Sequence, residues 1–431
     1  MNSAERKAKL REFTNGNIKP VRTGIPINYH GQNISLSAYN IPLEYLVYNP
    51  YNGRIGSVVK SYERQYHSLD PENAEDKKII EKFLFESKPD ANKTTRQRLL
   101  KEHQQKHAIV TADGVIIDGN RRACLLNSLA QDPTIPELEK QHCHFLIAII
   151  LPEDATKKEI LSLETLYQMG EDAKVDYNPI EKYLKCKDLQ EAGFTEKDIS
   201  KMMGCPQSEV RTMLETLVLM EQYLDEYDYS GIYTQLDKRE DLFLKLNAAL
   251  KKYRAGIPSM RTYDKETDVS DLKLIAFDYI RANFDQGLFR EIISAPSARR
   301  TAASFFSQEK VWNDFRDQHF DFTDRIHADE QSVNDLIASK PDEDISRLLK
   351  ARDLSWQRQV KSKFEENFKK GKDVLDNYNN ATKPLQQLQK AYKALEVVDC
   401  SQPTFKTDAE IRSSIDDLDR LLSKFKAILS N

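Results

Sequence analysis

Gly119, Asn120, Arg121 and Arg122 follow directly on the run Val115-Ile116-Ile117-Asp118. Two guanidiniums beside a glycine are the residue types that hold an anion. Arginine offers planar forks of N–H donors that match phosphate oxygens, and glycine lets a ligand approach the backbone closely. The apolar β-branched run reads as a buried strand. Asp118-Gly119 breaks it. From Asn120 the apolar positions change period, and Ala123, Leu126, Leu129 and Ala130 share one helical face. Arg121 and Arg122 then lie in the first turn of a helix, where N–H groups lack partners and the dipole is positive. Cations weaken a helix there unless an anion visits, and a phosphate would satisfy amides and guanidiniums together. Asp118, Gly119, Asn120, Arg121 and Arg122 are therefore candidate phosphate-binding residues. The alternative reading is a solvated arginine pair at a surface turn, with Asp118 as N-cap.

The elements that must position this turn are legible around it. Ile34–Tyr48 alternates loosely and ends in the turn-rich hexad Asn49-Pro50-Tyr51-Asn52-Gly53-Arg54, which presents Arg54 from a loop leaving a strand. Helices are predicted over 70–85, with Ile79, Ile80, Phe83 and Leu84 inward, and over 95–107. Ala108–Thr111 reads as a strand, Asp113-Gly114 as a hairpin turn, and Phe145–Leu151 as a buried strand. Residues 1–24 carry six basic side chains against two acidic ones and read as a solvated, partly mobile terminus.

Beyond residue 155 the pattern becomes helical. One helix runs over 155–169 and carries Glu164 and Gln168. The next starts at Asn178-Pro179 and ends near Gly193. Thr195–Asp198 resembles a capping box opening a helix with Ile199, Met202 and Met203 inward. Gly204-Cys205-Pro206 makes a tight turn, and Pro206 starts another helix. Two short helices joined by such a turn match the helix-turn-helix signature. Gln207, Ser208, Arg211 and Thr212 would be its DNA-facing residues. From 180 to 215 there are six Lys/Arg and seven Asp/Glu, so the module is not basic, and the same geometry serves protein packing. The region after 230 is charged and helical, with an apolar stretch at 272–293, a basic pair Arg299-Arg300 and aromatics at 305, 306, 312, 315 and 320. Trp356, Val360, Phe364 and Phe368 recur every four residues. Leu385, Leu388, Tyr392 and Leu395 form a further stripe, and Ile411, Ile415, Leu418, Leu422, Phe425 and Ile428 follow Thr407–Glu410. This last third is a helical hairpin or bundle whose final helix either dimerises or folds back.

A chain of 431 residues with 31% charged and 39% hydrophobic residues suits two or three globular domains. A net charge of −4 gives no overall basic field, so nucleic-acid contact must come from local patches. Five scattered cysteines make no convincing zinc site and suggest a reducing cytosol. No apolar run approaches a membrane span.

Together these elements resemble the ParB family, within the broader ParB/sulfiredoxin superfamily. Asn49–Arg54 resembles its NPxxPR loop, and Val115–Arg122 (VIIDGNRR) its GERR phosphate box with the preceding strand. Leu163–Gln168 followed by Asp176–Glu181 resembles its ENLQRxDLxPxE segment, and Thr195–Leu217 its helix-turn-helix. The resemblance spans about residues 35–220. It implies an α+β ParB/sulfiredoxin-like domain at 31–170, after a flexible basic terminus at 1–30. A helix-turn-helix domain would follow at 171–230. A helical region at 231–431, of one or two subdomains, would complete a chain that is mostly helical overall. The resemblance further implies a nucleoside triphosphate, CTP or ATP, bound with magnesium. Arg54, Gly119, Arg121 and Arg122 would contact its phosphates and Glu164 would hold the metal. Asn120 stands where the family has the glutamate of its box, and Thr165 where it has an asparagine beside the metal-binding glutamate. Gly53 replaces a proline, and Met169–Val175 is an insertion.

The resulting expectation is a divergent, nucleotide-gated protein binding double-stranded DNA. It would be a homodimer in the bacterial cytoplasm, nucleoid-associated, with at most slow triphosphate hydrolysis, and from a mobile element, phage or defence locus. One alternative is a nuclease or phosphotransferase of the same superfamily, for which His103, His107 and Asp118 are the nearest acid–base groups. Another is a non-enzymatic adaptor that binds a partner protein through residues 231–431.

Overall fold

The computed structural model describes residues 1–170, 178–256, 263–295, 303–341 and 343–429. Most of the 169–175 insertion, together with Asp176, Tyr177 and the Arg299-Arg300 pair, lies outside the described residues. The N-terminal part comprises α1 (Ser3–Thr14), β1 (Arg22–Tyr29), β2 (Gln32–Pro42), α2 (Gly56–Gln65), α3 (Ala74–Glu86), α4 (Pro89–Glu102), β3 (Ala108–Val110), β4 (Ile116–Asp118), α5 (Asn120–Ala130), α6 (Glu137–Lys140), β5 (Phe145–Ile150) and α7 (Lys157–Thr165). Its strands form one mixed sheet in the order β1-β2-β5-β3-β4. The apolar run of β5 lies at the centre, antiparallel to β2 and parallel to β3. One face, with Ile41, Val110, Ile116, Leu146 and Ala148, packs on Ala123, Leu126 and Leu129 of α5. The opposite face, with Ile27, Ile109, Ile117 and Ile149, packs on Leu163 of α7. Coverage on both faces is why β5 carries an unbroken hydrophobic sequence.

Two elements depart from expectation. Residues 1–30 are not a solvated terminus. Asn2 and Glu5 form a capping box that starts α1, and Leu10 and Phe13 enter the core. Arg6 is 2% exposed. Its Nε donates to the Asp113 carbonyl at 2.8 Å, and its guanidinium pairs with Glu72 at 2.6 Å. The arginine on the inward face hides the helix's amphipathic pattern from sequence reading. The second departure is β1, which pairs with β2 through a two-residue turn. His30 and Gly31 both take positive φ there, 51° and 73°, as a type I′ hairpin requires. Pro26 is tolerated because β1 is an edge strand.

The remaining helices are α8 (Pro179–Glu191), α9 (Glu196–Met203), α10 (Gln207–Glu226), α11 (Glu240–Ala255), α12 (Thr267–Arg281), α13 (Gln286–Ile293), α14 (Glu309–Ala328), α15 (Val333–Ser339), α16 (Ile345–Glu396), α17 (Pro403–Thr407) and α18 (Ala409–Leu429). One apolar core runs from Ile180 to Leu375. Helices α8–α10 share it with their successors, so no break in packing falls at the expected boundary near 230. A buried ionic knot crosses this core. Arg281, fully buried, bonds both carboxylate oxygens of Glu330 and reaches Asp353 at 2.9 Å. Asp278 accepts from Tyr227 at 2.8 Å and contacts His319 and His327 at 2.8 and 3.1 Å. By contrast, no residue of α18 is buried, and Ile415, Leu418, Leu422, Phe425 and Ile428 stay exposed. Of the two alternatives for the last helix, folding back onto its own chain is not the arrangement seen.

Burial opposes a charge on His327, but its bonds to Asp278 and Glu330 outweigh this and hold it protonated up to about 9. In the unfolded chain the imidazole titrates near 6.5. Its stabilisation is therefore complete below pH 6.5 and lost as pH rises to about 9. Urea unfolding across that range should show stability falling with pH, and His327→Gln should flatten the fall.

Candidate functional site

The strand–turn–helix forms as expected, and one side chain ties it to the arginine loop. Asn120 is 2% exposed. Its Oδ1 accepts from the Asn49 backbone N–H at 2.8 Å, and its Nδ2 donates to the Ile116 carbonyl at 2.8 Å. Both ends of the amide are thus used, and Asn120 braces the site without facing a ligand. Val47 bridges Val115 in parallel, so the hexad leaves the sheet beside the turn. Within it Asn49 Oδ1 accepts from the Tyr51 N–H at 3.0 Å, and buried Asn52 accepts from the Arg54 N–H at 3.2 Å. These side chain–backbone bonds shape a loop that presents Arg54.

Gly119, not Asp118, is the N-cap of α5, with φ 105° and no side chain capping the helix. A Cβ there would meet the Ala108 Cβ at 2.7 Å. Glycine is required both by its conformation and by packing against β3. The amides of the first turn therefore end at an uncapped helix start.

Charge converges at this point. Burial raises the Asp118 carboxyl, and Arg122, Arg54 and Lys106 pull it back down. Burial likewise lowers Arg122, which Asp118 opposes and Arg22 reinforces. Arg122 also donates to the Lys106 carbonyl at 2.6 Å, and Arg22 to the carbonyls of Gln105 and Gln104 at 2.8 and 3.0 Å. Arg54, Lys106 and Arg122 thus act on one carboxylate, Arg22 lies near Arg122, and Arg121 is half-buried in the same helical turn. Arg22 and Lys106 were missed as site residues by sequence reading. They come from an edge strand and a loop remote in sequence, and nothing in their spacing signals the convergence.

Behind the loop lies a cavity of about 330 Å³, lined by Tyr51, Gly53, Lys60, Glu164, Glu181 and Lys185 among others. Glu164 pairs with Lys185 at 3.1 Å, both side chains 5% or less exposed. Its other oxygen lies 3.4 Å from the Gly53 N–H. Burial raises the Glu164 carboxyl and Lys185 lowers it. Glu181 accepts from the Ser57 N–H and hydroxyl at 2.9 and 2.6 Å, and burial pushes it up to about 7. Thr165 is buried and donates to the Leu161 carbonyl. Gln168 donates to the Ile117 carbonyl at 2.9 Å, locking the end of α7 to β4. Among the described residues no group of three or more His, Cys, Asp or Glu is placed to hold a metal ion. Glu164, expected as a magnesium ligand, already carries an internal cation, so the residues present do not fit a divalent metal.

The other expected residues lie apart. Gln207, Ser208 and Arg211 are exposed and Thr212 half-buried at the start of α10. Arg211 and Gln207 both bond Glu196 of α9, at 2.8 and 3.1 Å, and the Thr212 hydroxyl donates to the Ser208 carbonyl. Cys124 is buried beside Glu81, and burial pushes its thiol up to about 12. The His103 ring packs edge-on to His142. A second cavity, about 530 Å³, lies between Pro42–Tyr48 and α5 and does not touch the arginines.

No family model matches the chain, and no curated protein matches it as a relative.

Gly119→Ala should destabilise the protein by about 1–3 kcal/mol, from a strained φ and the contact with Ala108. Urea unfolding monitored by circular dichroism measures this.

Proposed function

We propose that the chain binds a phosphate-bearing ligand, in the simplest case CTP or ATP, at the turn between β4 and α5, and that α9 and α10 contact double-stranded DNA. The observation that carries this reading is the convergence of Arg22, Arg54, Lys106 and Arg122 on an uncapped helix start. A phosphate group would bring negative charge to these cations at the positive end of the α5 dipole, where the first-turn amides point outward. The motif resemblance to the ParB family points the same way.

The loop that carries Arg54 offers a route from ligand to DNA. The Gly53 amide of this loop and the Ser57 amide at the start of α2 are held by Glu164 and Glu181, which belong to the helices leading into α9 and α10. A ligand that draws Arg54 toward the α5 turn would load these contacts, and so bias how α8 sits on α2.

A second reading, docking of a partner protein or a second copy by the helical half, is favoured by exposed Leu385, Leu388, Tyr392 and Leu395 on α16 and by the exposed apolar residues of α18. The Glu196 bonds to Gln207 and Arg211 favour it too, since they compete with DNA phosphates.

Calorimetric titration with CTP, ATP, GTP and UTP tests the first reading. Binding of at least one triphosphate is expected. Arg54→Ala and Arg122→Ala should each weaken it about 10- to 100-fold, the loss of one charge-assisted contact. Absence of binding by every triphosphate would overturn the reading. In DNA-binding assays by fluorescence anisotropy, Arg211→Ala should lower affinity and flatten its salt dependence. Glu196→Gln, which releases Arg211, should raise it. No response of DNA binding to either substitution would leave the docking reading.

A further inference from the structure

We infer that the buried Lys185 ammonium stands where a divalent cation would act beside the phosphate site, so that phosphate binding there is independent of metal. The inference rests on the phosphate-binding reading and names the counter-ion that site uses.

Three features of the cavity carry it. First, Glu164 is spoken for. One oxygen meets Lys185 at 3.1 Å and the other faces the Gly53 N–H. The remaining carboxylates on the wall are matched as well: Glu181 by Ser57, and Asp188 by Lys60 at 3.6 Å. Second, a metal on Glu164 would either share the carboxylate with the Lys185 ammonium against like-charge repulsion, or displace it and leave an ammonium buried without a counter-charge. Magnesium also demands near-octahedral oxygen ligands and dehydrates reluctantly. Third, the side chain following Glu164 supplies no ligand, because the Thr165 hydroxyl is buried against a helix carbonyl.

The arrangement also explains how the internal cation helps the site. Lys185 pairs with Glu164 within a dry wall, and the other carboxyl oxygen faces the amide of Gly53, next to Arg54. Lys185 is therefore a positioning residue for the arginine loop. Glu181, Lys185 and Asp188 recur at intervals of four and three on α8, which makes the polar wall one face of that helix.

The test uses the full-length protein and two probes. Inorganic tripolyphosphate is titrated calorimetrically with EDTA or with magnesium. Manganese binding is followed by electron paramagnetic resonance, with and without tripolyphosphate. Equal or tighter tripolyphosphate binding in EDTA is expected, with no manganese bound in a Glu164-dependent way. Lys185→Arg, which keeps the cation, should preserve this metal independence. A tenfold or greater loss of binding in EDTA overturns the inference. Manganese bound by the wild type and lost in Glu164→Gln overturns it too, even if no phosphate binds. No tripolyphosphate heat under either condition overturns the phosphate-site reading and the inference with it, and the manganese arm then decides separately whether Glu164 holds a metal.

Discussion

The buried amide of Asn120 is the contact on which the candidate site depends. It joins the arginine loop at Asn49, 71 positions away, to the start of strand β4 at Ile116 and the start of α5 where it resides. Without a buried donor and acceptor at this point, two backbone groups would lose partners in a dry interior, at roughly 1–3 kcal/mol each. A glutamate could accept from Asn49 but could not donate to Ile116, so an ionised carboxylate there would leave a carbonyl unmatched. An asparagine at this position thus favours a rigid turn over a further acidic ligand.

The joint between the mixed sheet and the helical half is polar, in contrast to the interior on either side. Glu164–Lys185 and Glu181–Ser57 cross it, next to a cavity of about 330 Å³. Buried ion pairs contribute little net stability but tolerate only one geometry, because breaking one leaves a bare charge. Such a joint fixes orientation while leaving room to move. The helical half applies the same device more densely, with Arg281 between Glu330 and Asp353 and Asp278 between two histidines. There the groups are enclosed by Tyr227, Tyr229 and Trp356, and the knot pins α12, α14 and α16 together.

Much of the fold was legible because local patterns carried it. The period change at Asn120, the apolar run of β5, the capping box at Thr195 and the turn at Gly204 each depend on residues close in sequence. Two things were hidden. Helix α1 was masked because Arg6, a residue typical of solvent, faces inward and is satisfied by Asp113 and Glu72, more than 60 positions away. Strand β1 was masked by Gly24 and Pro26, which only an edge position accommodates. The candidate site was legible in part: the turn carrying Gly119 and Arg122 and the loop carrying Arg54 were read from motifs, whereas Arg22 and Lys106 come near them through packing.

The sequence by itself determined the strand, turn and helix at 115–130, the arginine loop before it, and the paired short helices after it, since each is written in the spacing of neighbouring residues. Only the tertiary structure decided what those pieces face. It turned Asn120 inward as a brace, gave Glu164 an ammonium from α8 in place of an open coordination site, and tied Arg211 to Glu196. It also left the last helix uncovered. These outcomes depend on which side chains meet across long loops, and burial then fixes whether a carboxylate, a lysine or an arginine is free to meet a ligand.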